Sequence, residues 1–177
     1  MSFERLKLVA QHMLADANVI FWHPPKESLT RWELDVNQAL FWAKRKAYDI
    51  SAEFSLQSSL GIKPQQEQIL RLFLAKRALN WRLVMMERET QGQPSPTLRE
   101  FEIRIAYRRV INSISKTIKE RVASVQSCME NSQLSETLDL ASKKIFEIYQ
   151  GPTDNQTKWE NWKNEGPILK NTLAFLQ

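Results

Sequence analysis

Residues 65–90 read QQEQILRLFLAKRALNWRLVMMERET and decide the fold of this 177-residue chain. The stretch holds no glycine or proline, and its apolar side chains fall on nearly every side of a helical projection. A helix of this kind is covered by neighbours all round. Residues 65–90 therefore predict the central helix of an all-α helical bundle. Its apolar positions are Leu70, Leu72, Phe73, Leu74, Leu79, Trp81, Leu83, Val84, Met85 and Met86.

The 4 glycines and 7 prolines of the chain all lie outside this stretch, at five places. Glycine commonly ends a helix and proline cannot continue one, so each place is expected to end or begin a helix. Four glycines are also too few for the many tight turns of a β-sandwich or barrel. The five places are 24–25, 61–64, 92–96, 151–152 and 166–167.

Between these places the sequence predicts a single bundle of five long helices and a short helical tail. Residues 1–150 form the bundle, and residues 151–177 form a tail that packs on it. The tail is too short to bury a core of its own. The predicted helices cover 3–21, 31–60, 65–90, 96–130, 134–150, 154–164 and 167–176.

The six tryptophans divide into two groups by their position. The first group lies within helical patterns and is expected in the core, since large aromatic side chains bury much apolar surface. It comprises Trp32, Trp42 and Trp81. For Trp22, Trp159 and Trp162 two interpretations stay open, which are burial against the bundle and contact with a partner.

The second predicted helix carries apolar residues on two sides. Leu34, Phe41 and Tyr48 recur every seven residues and lie nearly opposite its main apolar stripe. A single bundle does not readily cover both sides of one helix. We therefore expect these three residues to form a partner interface, either with further copies of this chain or with other subunits of a larger complex.

The chain lacks the recognisable motifs of catalysis. It has no glycine-rich phosphate loop and no nucleophile elbow, and His12 and His23 belong to no metal-binding pattern. Cys128 has no recognisable base beside it and is expected to be buried. We expect no enzymatic activity, no catalytic residue, no metal and no cofactor.

Apolar runs in the sequence fall short of the roughly 18 residues that span a membrane. The N-terminus lacks the basic and apolar regions of a secretory signal. One cysteine allows no intramolecular disulfide. These features predict a cytoplasmic protein with no membrane partner.

The net charge of +5 is concentrated in the middle of the chain. Residues 61–125 hold thirteen basic and six acidic residues, whereas residues 126–177 hold five basic and seven acidic ones. Basic residues that served only solubility would be distributed more evenly along the chain. The excess therefore points to a polyanionic ligand for the third and fourth predicted helices.

Five side chains on the fourth helix share an arc of roughly a quarter turn, at about 100° per residue. We call them the basic ridge; they are Arg108, Arg109, Asn112, Lys116 and Lys119. Arg104 borders the arc, and the apolar stripe of the helix lies on the other side. The ridge is about 17 Å long, which suits several backbone phosphates of DNA or RNA.

Two other groups of basic residues differ in their geometry. Arg71 and Arg82 align on one helix with small Ala75 and Ala78 between them, which predicts a second nucleic-acid contact that a strand approaches closely. The run Lys44-Arg45-Lys46 is not expected to form a patch, because consecutive helical residues point about 100° apart.

A compact, basic, all-helical chain of this size without a catalytic motif resembles the small subunit of type I CRISPR effector complexes. Those subunits are helical bundles that line the complex in several copies and contact target or displaced DNA through lysines and arginines. The resemblance covers general architecture and rests on no signature motif. It implies backbone contacts for Arg104, Arg108, Arg109, Lys116 and Lys119.

Two functions from different classes follow from these features. The first is a nucleic-acid-binding structural subunit that acts through backbone charge and has little base preference. The second is a protein-interaction adaptor or chaperone-like bundle without a nucleic-acid ligand. Salt sensitivity of nucleic-acid binding separates them.

Overall fold

The computed structural model describes residues 31–89, 98–125 and 129–174, and this part of the chain is all-α. The predicted helix 3–21, Trp22, both histidines and Cys128 lie outside the described residues. The helices are α1 (Arg31–Glu53), α2 (Leu56–Leu60), α3 (Pro64–Glu89), α4 (Leu98–Ser124), α5 (Asn131–Gln150) and α6 (Asn155–Thr172). The predicted fold class, a helical bundle, is confirmed.

Helix α3 lies at the centre of the bundle, as its apolar circumference predicts. It contacts α1, α4 and α5. Between Ile69 and Leu79 its side chains are buried on several sides, including Leu70, Leu74 and Ala78, which are each 0% exposed. In its last turns the helix is less covered, and Val84 is 41% exposed.

The predicted helix 31–60 is interrupted after Glu53, and its continuity is therefore wrong. Ser55 adopts a left-handed conformation with φ 49°, which a residue other than glycine rarely takes. The break turns the chain so that Phe54 and Leu56 are both buried, at 1% and 0% exposed. The hydroxyl of Ser59 donates a hydrogen bond to the Phe54 carbonyl and satisfies it at the break.

The predicted break at 166–167 is also wrong, because α6 runs through it with Pro167 inside the helix. Proline removes one helical N–H donor but leaves the buried stripe of the helix intact. Trp162, Leu169 and Leu173 are buried along one side of α6. Burial of this stripe explains why the helix continues. The other predicted boundaries differ by three residues at the start of α5, by two residues at the start of α4 and by six residues at its end.

Helix α6 packs on the bundle through an aromatic cluster. It contacts α2 and α5. The ring of Trp162 stacks on Phe54 with 4.4 Å between centroids, and Trp159 meets the edge of the same ring at 5.8 Å. Lys158 Nζ lies 3.2 Å from Glu53 Oε1. Trp162 is thus a core residue, whereas Trp159 contacts the core yet remains 41% exposed.

The core prediction is wrong for two of the three helical tryptophans. Trp32 is 41% exposed and Trp81 is 37% exposed, whereas Trp42 packs against the core as predicted. Trp32 lies in the first turn of α1 and Trp81 near the end of α3. Helical periodicity shows which side of a helix a residue takes, but not how far along the axis the neighbouring helices extend.

None of the described helices is long and apolar enough to cross a membrane.

Candidate nucleic-acid interface

The basic ridge is exposed on α4. All five of its side chains lie on the surface of the described structure. On the opposite side of α4, Tyr107, Val110, Ile114 and Ile118 are 0–6% exposed and join the core. These buried positions recur at helical spacing, so their packing fixes α4 with the ridge outward.

The ridge cations differ in their electrostatic surroundings. Arg108 Nη2 lies 3.3 Å from Glu87 Oε1 of α3, and both side chains are about half exposed. Exposed ion pairs of this kind contribute little to stability, and salt screens them. Arg109, Lys116 and Lys119 form no ion pair with any described residue. Three cations of the ridge are therefore available to a polyanion.

Arg104, at the border of the ridge, is more enclosed. It is half-buried, and its Nη2 donates to the carbonyl oxygen of Met86 at 3.5 Å. This contact holds Arg104 against the end of α3, so the exposed charge of the interface begins at Arg108.

Arg71 and Arg82 are partly buried, and each lies against an aromatic ring. The guanidinium of Arg71 covers the ring of Tyr48 at 4.8 Å, and that of Arg82 covers Trp42 at 4.4 Å. Both rings belong to α1, so Ala75 and Ala78 between the arginines face that helix and are 1% and 0% exposed. The prediction that a nucleic-acid strand closely approaches Ala75 and Ala78 is wrong, because these small side chains are buried where α3 packs against α1.

The predicted partner interface is partly covered within the chain. Leu34 packs against the core, and Phe41 is half-buried. Tyr48 is 51% exposed, beneath the guanidinium of Arg71. Of the three residues, Tyr48 offers the largest surface.

The run from Lys44 to Lys46 points in three directions, as predicted. Lys44 is buried at 7% exposed. Arg45 pairs with Asp49 at 3.2 Å, and Lys46 Nζ lies 4.9 Å from the ring centroid of Tyr149. The three residues form no common patch.

Two exposed apolar residues of α4 were missed in the sequence. Phe101 and Ile105 are 49% and 38% exposed. At about 100° per residue they fall in the same arc as the basic ridge, one to two turns before Arg108. A helical projection of the sequence already places both residues in the arc of the basic ridge. Apolar residues on a helix, however, are ordinarily assigned to its buried side.

Within the described ranges, no group of three or more histidine, cysteine or acidic residues is placed to hold a metal ion.

Tyr107 is a titratable residue at the contact of α4 with α1 and α3. Burial raises the pKa of its phenol above the usual value of 10.0, Arg82 opposes this rise, and Asp35 adds to it. The folded chain therefore holds the phenol proton more tightly than the unfolded chain. We expect the free energy of unfolding to fall as the pH rises above about 10, because the unfolded chain then deprotonates first.

The substitution Tyr107→Phe should reduce this fall, and urea unfolding on both sides of pH 10 would measure it. Tyr149, whose pKa burial also raises, should account for part of the remaining fall. An identical pH dependence in the variant and the original chain would contradict the assignment to Tyr107.

No protein-family model, no curated protein and no solved structure matches this chain.

Proposed function

We propose that this chain is a cytoplasmic, non-catalytic structural subunit that binds the phosphate backbone of DNA or RNA through the basic ridge. One observation carries the proposal. The ridge is exposed along one side of α4, opposite the buried stripe, and three of its cations form no ion pair among the described residues.

The geometry of the ridge favours phosphates over bases. From Arg108 to Lys119 the helix rises about 17 Å, at 1.5 Å per residue. Lysine and arginine side chains on such a line reach successive phosphates of a strand. Reading base edges would require the helix to enter a groove in one fixed pose. We therefore expect little base preference.

The subunit would act within a larger ribonucleoprotein or DNA-targeting complex, as in the type I CRISPR small subunits that the sequence resembles. Tyr48, at 51% exposed, is the residue that we assign to contacts with other subunits or with further copies of the chain. Leu34 and Phe41 would contribute the edges of that surface, since both are only partly buried.

The test is affinity for a mixed-sequence DNA duplex and an RNA duplex at several salt concentrations. With about four phosphates neutralised, the logarithm of the affinity should fall with the logarithm of the salt concentration at a slope of about −3.6 for DNA. Duplexes of different sequence should bind with similar affinity. A salt-independent affinity, or a strong preference for one sequence, would contradict backbone binding.

The alternative function is an adaptor or chaperone-like subunit without a nucleic-acid ligand. It is favoured by exposed aromatic side chains on different helices, with Trp32, Tyr48 and Trp159 each more than 40% exposed. Absence of any duplex binding at low salt would favour this alternative over the ridge.

A further inference from the structure

A groove lies between the first half of α1, the end of α3 and the start of α4. Its volume is about 780 Å³, within the range of about 300–1,000 Å³ that is typical of small-molecule sites. Apolar and aromatic side chains form most of its wall. We call it the aromatic groove; its apolar wall consists of Ala39, Trp42, Trp81, Met85, Met86, Ile103 and Tyr107, and its polar lining residues are Asp35, Gln38 and Arg82.

Arg82 is the charged group that distinguishes this groove. Its guanidinium lies over Trp42 at 4.4 Å and over Tyr107 at 5.7 Å. Stacking uses the faces of the guanidinium and leaves its in-plane N–H donors free. Among the described residues Arg82 has no hydrogen bond and no ion pair, so these donors lack a protein acceptor.

The carboxylate in the groove does not compensate Arg82. Asp35 lines the groove, but both of its oxygens accept hydrogen bonds from Arg99, at 2.5 and 2.6 Å. The hydrogen bond to Asp35 raises the pKa of Arg99. Arg82 is thus the cation that lines the groove, and it forms no ion pair with any described residue.

We propose that the aromatic groove binds a small amphipathic carboxylate, with the carboxylate on Arg82 and the apolar body against Trp81, Met85 and Ile103. A guanidinium matches a carboxylate with two parallel hydrogen bonds. One arginine balances one negative charge, which suits a monoanion better than a dianionic phosphate monoester. The flexible methionines adapt to apolar bodies of different shape. This site is separate from the basic ridge.

The test uses 1-naphthylacetate as the probe and 1-naphthylacetamide as its uncharged match, with the intact chain in a calorimeter. The acid should bind at least about tenfold more tightly than the amide, because only the acid offers a negative charge and two acceptor oxygens for two parallel hydrogen bonds with Arg82. Equal affinities for acid and amide, or no binding of the acid at millimolar concentration, would overturn the proposal. This comparison needs no variant and so does not depend on how a substitution folds.

Three variants sharpen the assignment. Arg82→Gln should lower the affinity for the acid to that for the amide, whereas Arg82→Lys should retain part of the preference because it keeps the charge. Arg71→Gln is the matched control, since Arg71 stacks on Tyr48 outside the groove. It should bind the acid like the original chain. Persistence of the acid preference in Arg82→Gln would exclude Arg82 as the contact.

Discussion

Replacing Phe54 by alanine should lower the free energy of unfolding by about 3–5 kcal/mol. Phe54 is 1% exposed and lies where α1 breaks before α2. Its ring contacts Tyr149, Trp159 and Trp162 at centroid distances of 6.2, 5.8 and 4.4 Å. The substitution leaves a cavity between three helices, which the surrounding rings cannot fill without moving.

Urea unfolding would measure this loss, with Phe101→Ala as the matched control. Phe101 is 49% exposed, so the same change of residue there should cost much less, at about 1 kcal/mol. A double-mutant cycle of Phe54 and Trp162 should give a coupling of about 0.5–1.5 kcal/mol. Equal losses at Phe54 and Phe101, or no coupling to Trp162, would contradict the docking of α6 at this cluster.

Removing two cations of the ridge should weaken nucleic-acid binding and its salt dependence together. The variant is Arg109→Ala with Lys116→Ala, both exposed and without an ion pair among the described residues. Alanine favours helix at exposed positions, so α4 should remain folded. Because the variant should neutralise about two phosphates instead of about four, the slope for duplex DNA should change from about −3.6 to about −1.8. The double variant Arg108→Ala with Lys116→Ala should flatten this salt-dependence slope similarly, by about two units.

The effect on affinity follows from these slopes. Between 50 and 200 mM salt the original chain should lose about 150-fold in affinity and the variant about 12-fold. The matched control is Lys163→Ala with Lys170→Ala, two exposed lysines of α6 at the same spacing of seven residues. It removes the same charge, so a control slope as flat as that of the ridge variant would assign binding to net charge rather than to the ridge.

Much of the fold was determined by the sequence alone. The confinement of glycine and proline to five places predicts long helices, and the structure has them. The apolar circumference of residues 65–90 predicts the central helix, which is α3. The position of the ridge opposite the stripe of α4 also follows from the sequence, because helical geometry fixes which residues share a side.

Other features were decided only by the tertiary structure. Ser55 breaks a helix without glycine or proline, because burying Phe54 and Leu56 outweighs the cost of its left-handed backbone. Pro167 stays within α6 because the buried stripe on both sides of it holds the helix in place. At both positions the burial of side chains against residues distant in sequence therefore outweighed the local preference for or against helix.

In the candidate sites, too, the sequence alone determined some features and the tertiary structure decided others. The exposure of Arg109 follows from helical periodicity, whereas the stacking of Arg82 on Trp42 depends on how α1 crosses α3. Trp81 is 37% exposed and Trp162 is 6% exposed because of how the neighbouring helices pack beside them, which no spacing within one helix encodes. The sequence determined which residues share one side of a helix, and only the packing of several helices decided what covers that side.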